Sequence, residues 1–100
     1  MAKILVDRDK RILDAAIAAA EEHGYQWITR EDVAARVGCS VGSVSKAFGP
    51  MIELKRAVLR AAVERGLASI VSQGLADRHP IATAAPAHLK KEAVALQLAG

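Results

Sequence analysis

"GCSVGSVSKAFG", residues 38–49, decides how this chain folds. Three serines, three glycines and one lysine crowd into it, in a chain that is 52% hydrophobic overall. Ser40 is a good helix cap, and a short helix is predicted from Val41 to about Phe48. Val41, Val44 and Phe48 recur at i, i+3 and i+7 and share one side. Gly42, Ser43, Ser45 and Lys46 are left for the other faces. Gly38-Cys39-Ser40 separates this helix from an earlier one of about two turns. Thr29 caps that earlier helix, with Asp32 three residues on, close to a capping box. Val33, Ala34 and Val37 form its inward face.

Two short helices joined by a tight, glycine-containing turn make a helix-turn-helix. Such a unit reads DNA by laying its second helix in a major groove roughly 12 Å wide. The helix must be thin, and its first residues must be small and polar. Ser40, Val41, Gly42, Ser43 and Ser45 supply that surface, and Lys46 adds a charge for a phosphate. The free N–H groups that follow Thr29 and Ser40 can bind phosphate oxygens. Arg30, which opens the first helix of the pair, and Lys55 and Arg56 on the next helix complete the expected DNA surface. Plainer roles stand beside these. The serines can be simple caps, Gly42 can allow close helix packing, and Lys46 and Arg30 can be solvated charges. Arg8, Lys10 and Arg11 read as a solvated face.

The charge distribution agrees with a phosphate-facing surface. The net charge is only +3. Residues 40–65 hold five basic and two acidic side chains, whereas residues 1–39 hold six basic and seven acidic. The excess lies in and just after the quoted stretch.

Outward from there, a first helix is predicted from about Asp7, capped by Asp7 or Asp9. Ile12, Leu13, Ala16, Ile17 and Ala20 form its buried stripe, and His23-Gly24 ends it. "YQWI", residues 25–28, is a turn in which Tyr25 and Trp27 close one end of the core. Pro50 fits the first turn of the next helix. Leu54, Val58, Leu59, Ala62 and Val63 run on into Leu67, Ile70 and Val71. One long helix is therefore expected to end near Gln73-Gly74, with a break at Gly66 as the alternative. "ADRHPIATAAPA", residues 76–87, reads as a linker. A last helix opening at Pro86 carries a stripe of Leu89, Ala93, Leu96 and Val94.

With 100 residues the chain suits one compact unit, and its alanine-rich, aromatic-poor composition points to an all-α fold. A helix-turn-helix region over residues 1–65 and a helical extension over 66–100 are expected. The lone Cys39 excludes an internal disulfide and fits a reducing cytoplasm as a small buried residue of the turn. His23, His79 and His88 lack ligand spacing, so no metal or cofactor is expected. No signal-peptide pattern or membrane-length apolar run is present. Nothing pairs a nucleophile with a base, so an enzyme is not expected.

"HGYQWITREDVAARVGCSVGSVSKAFG", residues 23–49, resembles the DNA-binding domain of TetR-family repressors. Gly24-Tyr25, Thr29, Val33-Ala34, Gly38 with Ser40, Gly42 and Phe48 carry the likeness, which runs roughly from Arg8 to Val63. It implies a small all-α bundle with a homeodomain-like helix-turn-helix and double-stranded DNA as the partner. In that family a tyrosine usually stands where this chain has Ser45, and a lysine where it has Met51. Both typically bind phosphates; here Lys46, Lys55 and Arg56 lie close enough to substitute. Family members also carry a larger domain that binds a small ligand and forms the dimer. The 35 residues after Arg65 are too few to enclose a ligand cavity. The expectation is a homodimeric repressor without a small-molecule inducer, of a size that suits a mobile-element circuit. Leu67, Ile70, Val71, Leu75, Leu89, Ala93 and Leu96 would form its dimer contact, the alternative being that the Leu89–Leu98 stripe folds back on the chain's own core. A DNA-architectural or accessory factor, or a protein-interaction module with a decayed DNA surface, are the competing expectations.

Overall fold

Helices begin where the sequence supplies caps and stop where a glycine turns the backbone over. The computed structural model describes residues 7–99, and every regular element among them is helical. The order is α1 (Asp7–His23), a 3₁₀ turn (Tyr25–Trp27), α2 (Arg30–Val37), α3 (Val41–Phe48), α4 (Met51–Arg65), α5 (Ala68–Ala76), α6 (Pro80–Thr83) and α7 (Ala87–Ala99). Asp9 lies inside α1 and Asp7 is its first helical residue, so Asp9 is not its cap. Pro50 sits at the cap of α4, one place before the helix proper. No helix among the described residues is long and apolar enough to cross a membrane.

One apolar core joins these elements. Ile12, Ala16 and Ile17 of α1 meet Val33 of α2, Val44 of α3, and Leu54, Val58 and Leu59 of α4 in the same buried cluster. Ile70 and Val71 of α5, Ala82 of α6, and Leu89 and Ala93 of α7 belong to it as well. The C-terminal helices are therefore packed onto the helix-turn-helix rather than strung behind it.

The helix expected to run through Gly66 breaks there. Gly66 takes a left-handed conformation with φ +70° and ψ 35°. Its N–H reaches the Val63 carbonyl at 3.4 Å, and the Leu67 N–H reaches the Ala62 carbonyl at 2.8 Å. This pair of reversed bonds satisfies carbonyls that α4 would otherwise leave open, and it directs the chain into α5. Residues 76–87, expected as a linker, instead contain the short helix α6. The His79 Nδ1 accepts the Ile81 N–H at 3.1 Å and caps it. The helix is short because Pro80 opens it and Pro86 follows closely, yet it buries Ala82 completely.

Gly74 makes that burial possible. A Cβ there would lie 2.7 Å from the Ala82 Cβ and 3.0 Å from a Leu59 methyl. Close beside it, α5 is clasped to the 3₁₀ turn. The Tyr25 N–H donates to the Gln73 Oε1 at 2.8 Å, and Gln73 Nε2 donates to the Ala20 carbonyl at 3.2 Å. The Tyr25 hydroxyl donates to the Asp77 carboxylate. Burial first, and then this hydrogen bond, raise the Tyr25 hydroxyl pKa to about 12. The same bond holds Asp77 below the usual carboxylate range.

Two outcomes follow from this packing. Gly74→Ala should destabilise the fold by about 1–3 kcal/mol through overpacking, against roughly 1 kcal/mol for Gly66→Ala from left-handed strain; urea titration measures both. A tyrosine whose pKa is raised on folding adds stability that is complete below its unfolded value near 10. That stability is lost as pH rises toward the folded value of about 12. Tyr25→Phe should therefore cost about 1 kcal/mol at neutral pH. It should also flatten the decline in melting temperature above pH 10, as alkaline thermal melts would record.

Candidate nucleic-acid interface

The pair α2–α3 is fixed by caps that the sequence writes explicitly. Thr29 Oγ1 accepts the Asp32 N–H at 3.1 Å and starts α2. Gly38, left-handed at φ 81°, ends it, with the Gly38 and Cys39 N–H groups both bound to the Ala34 carbonyl. Ser40 Oγ accepts the Ser43 N–H at 3.1 Å and starts α3. Cys39 is half-buried and packs against the core, as a small residue of the turn.

Only one side of α3 is anchored. Val44 is completely buried, and Ala47 and Phe48 pack beside it. Val41, expected on that inward side, is instead exposed, so the inward stripe is Val44 with Ala47 and Phe48. On the outer side Ser40, Val41, Gly42 and Lys46 are exposed, with Ser43 and Ser45 half-buried at its edges. The Ser40 and Ser43 hydroxyl oxygens lie 3.0 Å apart, so one donates to the other and a further polar group can complete the pair. Gly42 is not a packing glycine. A Cβ there would find only the Ser40 Oγ, at an ordinary 3.8 Å.

The ionic network sorts the charges. Arg36 binds both Glu22 and Asp32, and this contact, its hydrogen bond above all, lowers the Glu22 pKa. Arg65 binds Asp14 at 2.8 Å, and Arg11 lies 3.3 Å from Asp7. Arg56, expected to face DNA, is held by Glu53 at 2.7 Å. Arg30, Lys46 and Lys55 make no ion pair with any described residue. The Arg30 Nε is buried without a hydrogen-bond partner. Thus Thr29 and Arg30 open α2, Ser40 to Ser43 cluster at the start of α3, and Ser45 and Lys46 lie further along it. Lys55 stands apart from that cluster in a groove with Trp27 and Ile52.

Trp27 is the residue that sequence reasoning misplaced. It is 73% exposed, whereas Tyr25 and Ile28 are buried. In a 3₁₀ turn residues three apart share a face, so Tyr25 and Ile28 turn inward together and Trp27 turns out. The expected dimer residues also divide. Ile70, Val71, Leu89 and Ala93 are buried within the chain's own core, and Leu67 and Leu75 are half-buried against it. Leu96 is exposed on α7, with Val94 and Leu98 near it.

A helix-turn-helix with a small, polar, uncovered second helix thus sits on a packed helical bundle. No curated protein and no solved structure matches the chain. The family model described as bacterial regulatory proteins, tetR family, matches residues 12–62. That span is just over half of the chain and runs from α1 through both helices of the motif into α4. The chain belongs to the tetR family of bacterial regulatory proteins, a family of DNA-binding transcription regulators.

Proposed function

We propose that this protein is a transcriptional repressor that binds a near-palindromic operator as a homodimer and needs no small-molecule inducer. The observation that carries the reading is the outer face of α3, where a Cβ on Gly42 would meet only the Ser40 Oγ at 3.8 Å and Lys46 makes no ion pair among the described residues. The mechanism is steric. Two α3 helices enter successive major grooves, roughly 34–36 Å apart, and exclude polymerase. Thr29, Arg30, Ser40 and Ser43 hold the flanking phosphates, and Lys46 and Lys55 supply the unpaired charge. Gly42, Ser45 and Val41 meet base edges. Arg56 reaches phosphate by exchanging its Glu53 partner.

The absence of an inducer is supported by how the chain after Arg65 is used. Ile70, Val71 and Leu89 are buried in the core shared with α4 and α1, and Leu67 and Leu75 pack against it. Repression is then tuned by protein concentration through the dimer equilibrium. The dimer contact lies on α7 at Leu96, with Val94 and Leu98, since these remain exposed while the rest of the stripe is internal. A second module makes the second half-site contact intramolecular and raises avidity.

Selection of random duplexes in vitro, followed by footprinting upstream of the protein's own coding sequence, tests the reading. A protected palindrome overlapping a promoter is expected; repeated sites away from promoters would indicate an accessory factor. Gly42→Glu should leave the melting temperature unchanged or higher, because an acidic residue in the first turn of α3 favours the helix. It should weaken binding to the selected duplex on the order of hundredfold or more, close to 3 kcal/mol. Unimpaired binding would remove α3 from the groove. Lys46→Ala should reduce the slope of log affinity against log salt by about 1. Leu96→Asp should shift sedimentation toward the monomer at micromolar concentration without lowering the monomer's stability.

A further inference from the structure

Two of the largest exposed apolar side chains stand together beside the helix-turn-helix. Trp27 is 73% exposed and Ile52 is 57% exposed. They come from different elements, the 3₁₀ turn and α4, yet line one groove of about 500 Å³. Trp27 is the only tryptophan in the chain. A large aromatic left in water on a protein of this size marks an interaction surface.

The position of the groove and its charges indicate what covers it. Trp27 lies two residues before Thr29, the cap of α2, and Ile52 is the second residue of α4, just after the end of α3. The groove is therefore continuous in the chain with both ends of the proposed DNA surface. Lys55, one turn beyond Ile52, lines it and makes no ion pair with a described residue. The only carboxylate among its lining residues, Asp77, is bound by the Tyr25 hydroxyl. His79 stands at its rim, with its Nδ1 taken up by the Ile81 N–H. The patch is too small to be a protein interface in its own right, which needs roughly 800 Å² from each partner. As an annex to a DNA surface it needs no such area.

We infer that Trp27 and Ile52 form an apolar DNA contact outside the major groove. They lie against the deoxyribose edge of the backbone next to the phosphate held by Lys55. The inference rests on the DNA-binding reading above and extends its footprint. Sugar contacts of this kind fix the register of a protein on the duplex without reading sequence. The indole ring covers the C–H face of a sugar, Ile52 fills the space beside it, and the Lys55 ammonium neutralises the adjoining phosphate.

The sole tryptophan reports on its own environment, so titration of the full chain with the selected duplex is the experiment. Trp27 emission should shift to the blue and lose intensity on binding. Trp27→Ala and Ile52→Ser should each weaken affinity by roughly fivefold to tenfold and leave the salt slope unchanged, since no charge is removed. Trp27→Phe should retain most of the affinity. Lys55→Met should lower the salt slope by about 1. Emission unaltered at saturating duplex, with Trp27→Ala binding as tightly as the parent, overturns the inference while the DNA-binding reading stands. Enrichment of no duplex at all overturns that reading and the inference with it. Emission that responds only to a protein in pull-down, and not to DNA, also overturns the inference and assigns the patch to a protein partner.

Discussion

The burial of Val44 is the constraint on which the recognition surface depends. An eight-residue helix is far too short to be stable alone. It exists because one face is held against α1 and α4 and because its first turn is capped. Val44 is the only completely buried side chain of α3, with Ala47 and Phe48 packed at its margins. A two-turn helix anchored along one line leaves its remaining faces free. Those faces carry Gly42, Ser43, Ser45 and Lys46, and no neighbour requires the absence of a side chain at Gly42. The same short helix is thus held through its apolar line, and the proposed function uses what it leaves uncovered.

The rest of the bundle keeps that helix in place. The Gly66 turn folds α5 back so that Ile70 and Val71 complete the core under α1 and α4. Gly74 then lets α6 approach closely enough to bury Ala82. Gln73 and Asp77 grip the 3₁₀ turn that leads into α2. The contacts at Gly66 and Gly74 lie away from α3, whereas the Tyr25–Asp77 bond stands in the wall of the Trp27 groove and holds the turn that leads into α2. A loosened clasp at Tyr25 would move the start of α2, and with it Thr29 and Arg30, before it disturbed α3.

Much of this was legible in the sequence because caps are local chemistry. Thr29 with Asp32, and Ser40 with Ser43, specify helix starts through bonds that span three residues. The break at Gly66 was not legible from periodicity. The apolar pattern continues across it because α4 and α5 face the same core, so both sides of the turn carry the same signal. Helix α6 escaped because four residues show no period; it gives the core the buried Ala82 and the half-buried Ile81. Trp27 was misplaced because hydrophobicity gave no direction; the spacing of Tyr25 and Ile28 in a 3₁₀ turn supplies it. Of the apolar stripe expected on the last helix, Leu89 and Ala93 face the core, while Leu96 and Val94 are exposed. Its division between core and surface depends on the position of α5, which no local pattern encodes.

Charge placement was the least legible part, since the net value hides which cations are already committed. Five arginines close ion pairs with carboxylates of their own chain, so each of them, Arg56 included, must give up that partner before it meets an external phosphate. Three cations near the motif, Arg30, Lys46 and Lys55, keep their charge available. Each neutralised phosphate contributes roughly 0.9 to the salt slope, so three contacts from one chain give weak, salt-sensitive binding. Doubling them in the proposed dimer steepens that dependence, and apolar contact at Trp27 adds affinity that salt does not screen. In the proposed reading, a second copy and uncharged contacts together offset the few free charges near the motif and hold one site against competing DNA. That combination links the exposed end of α7, the outer face of α3 and the Trp27 groove in a single physical argument.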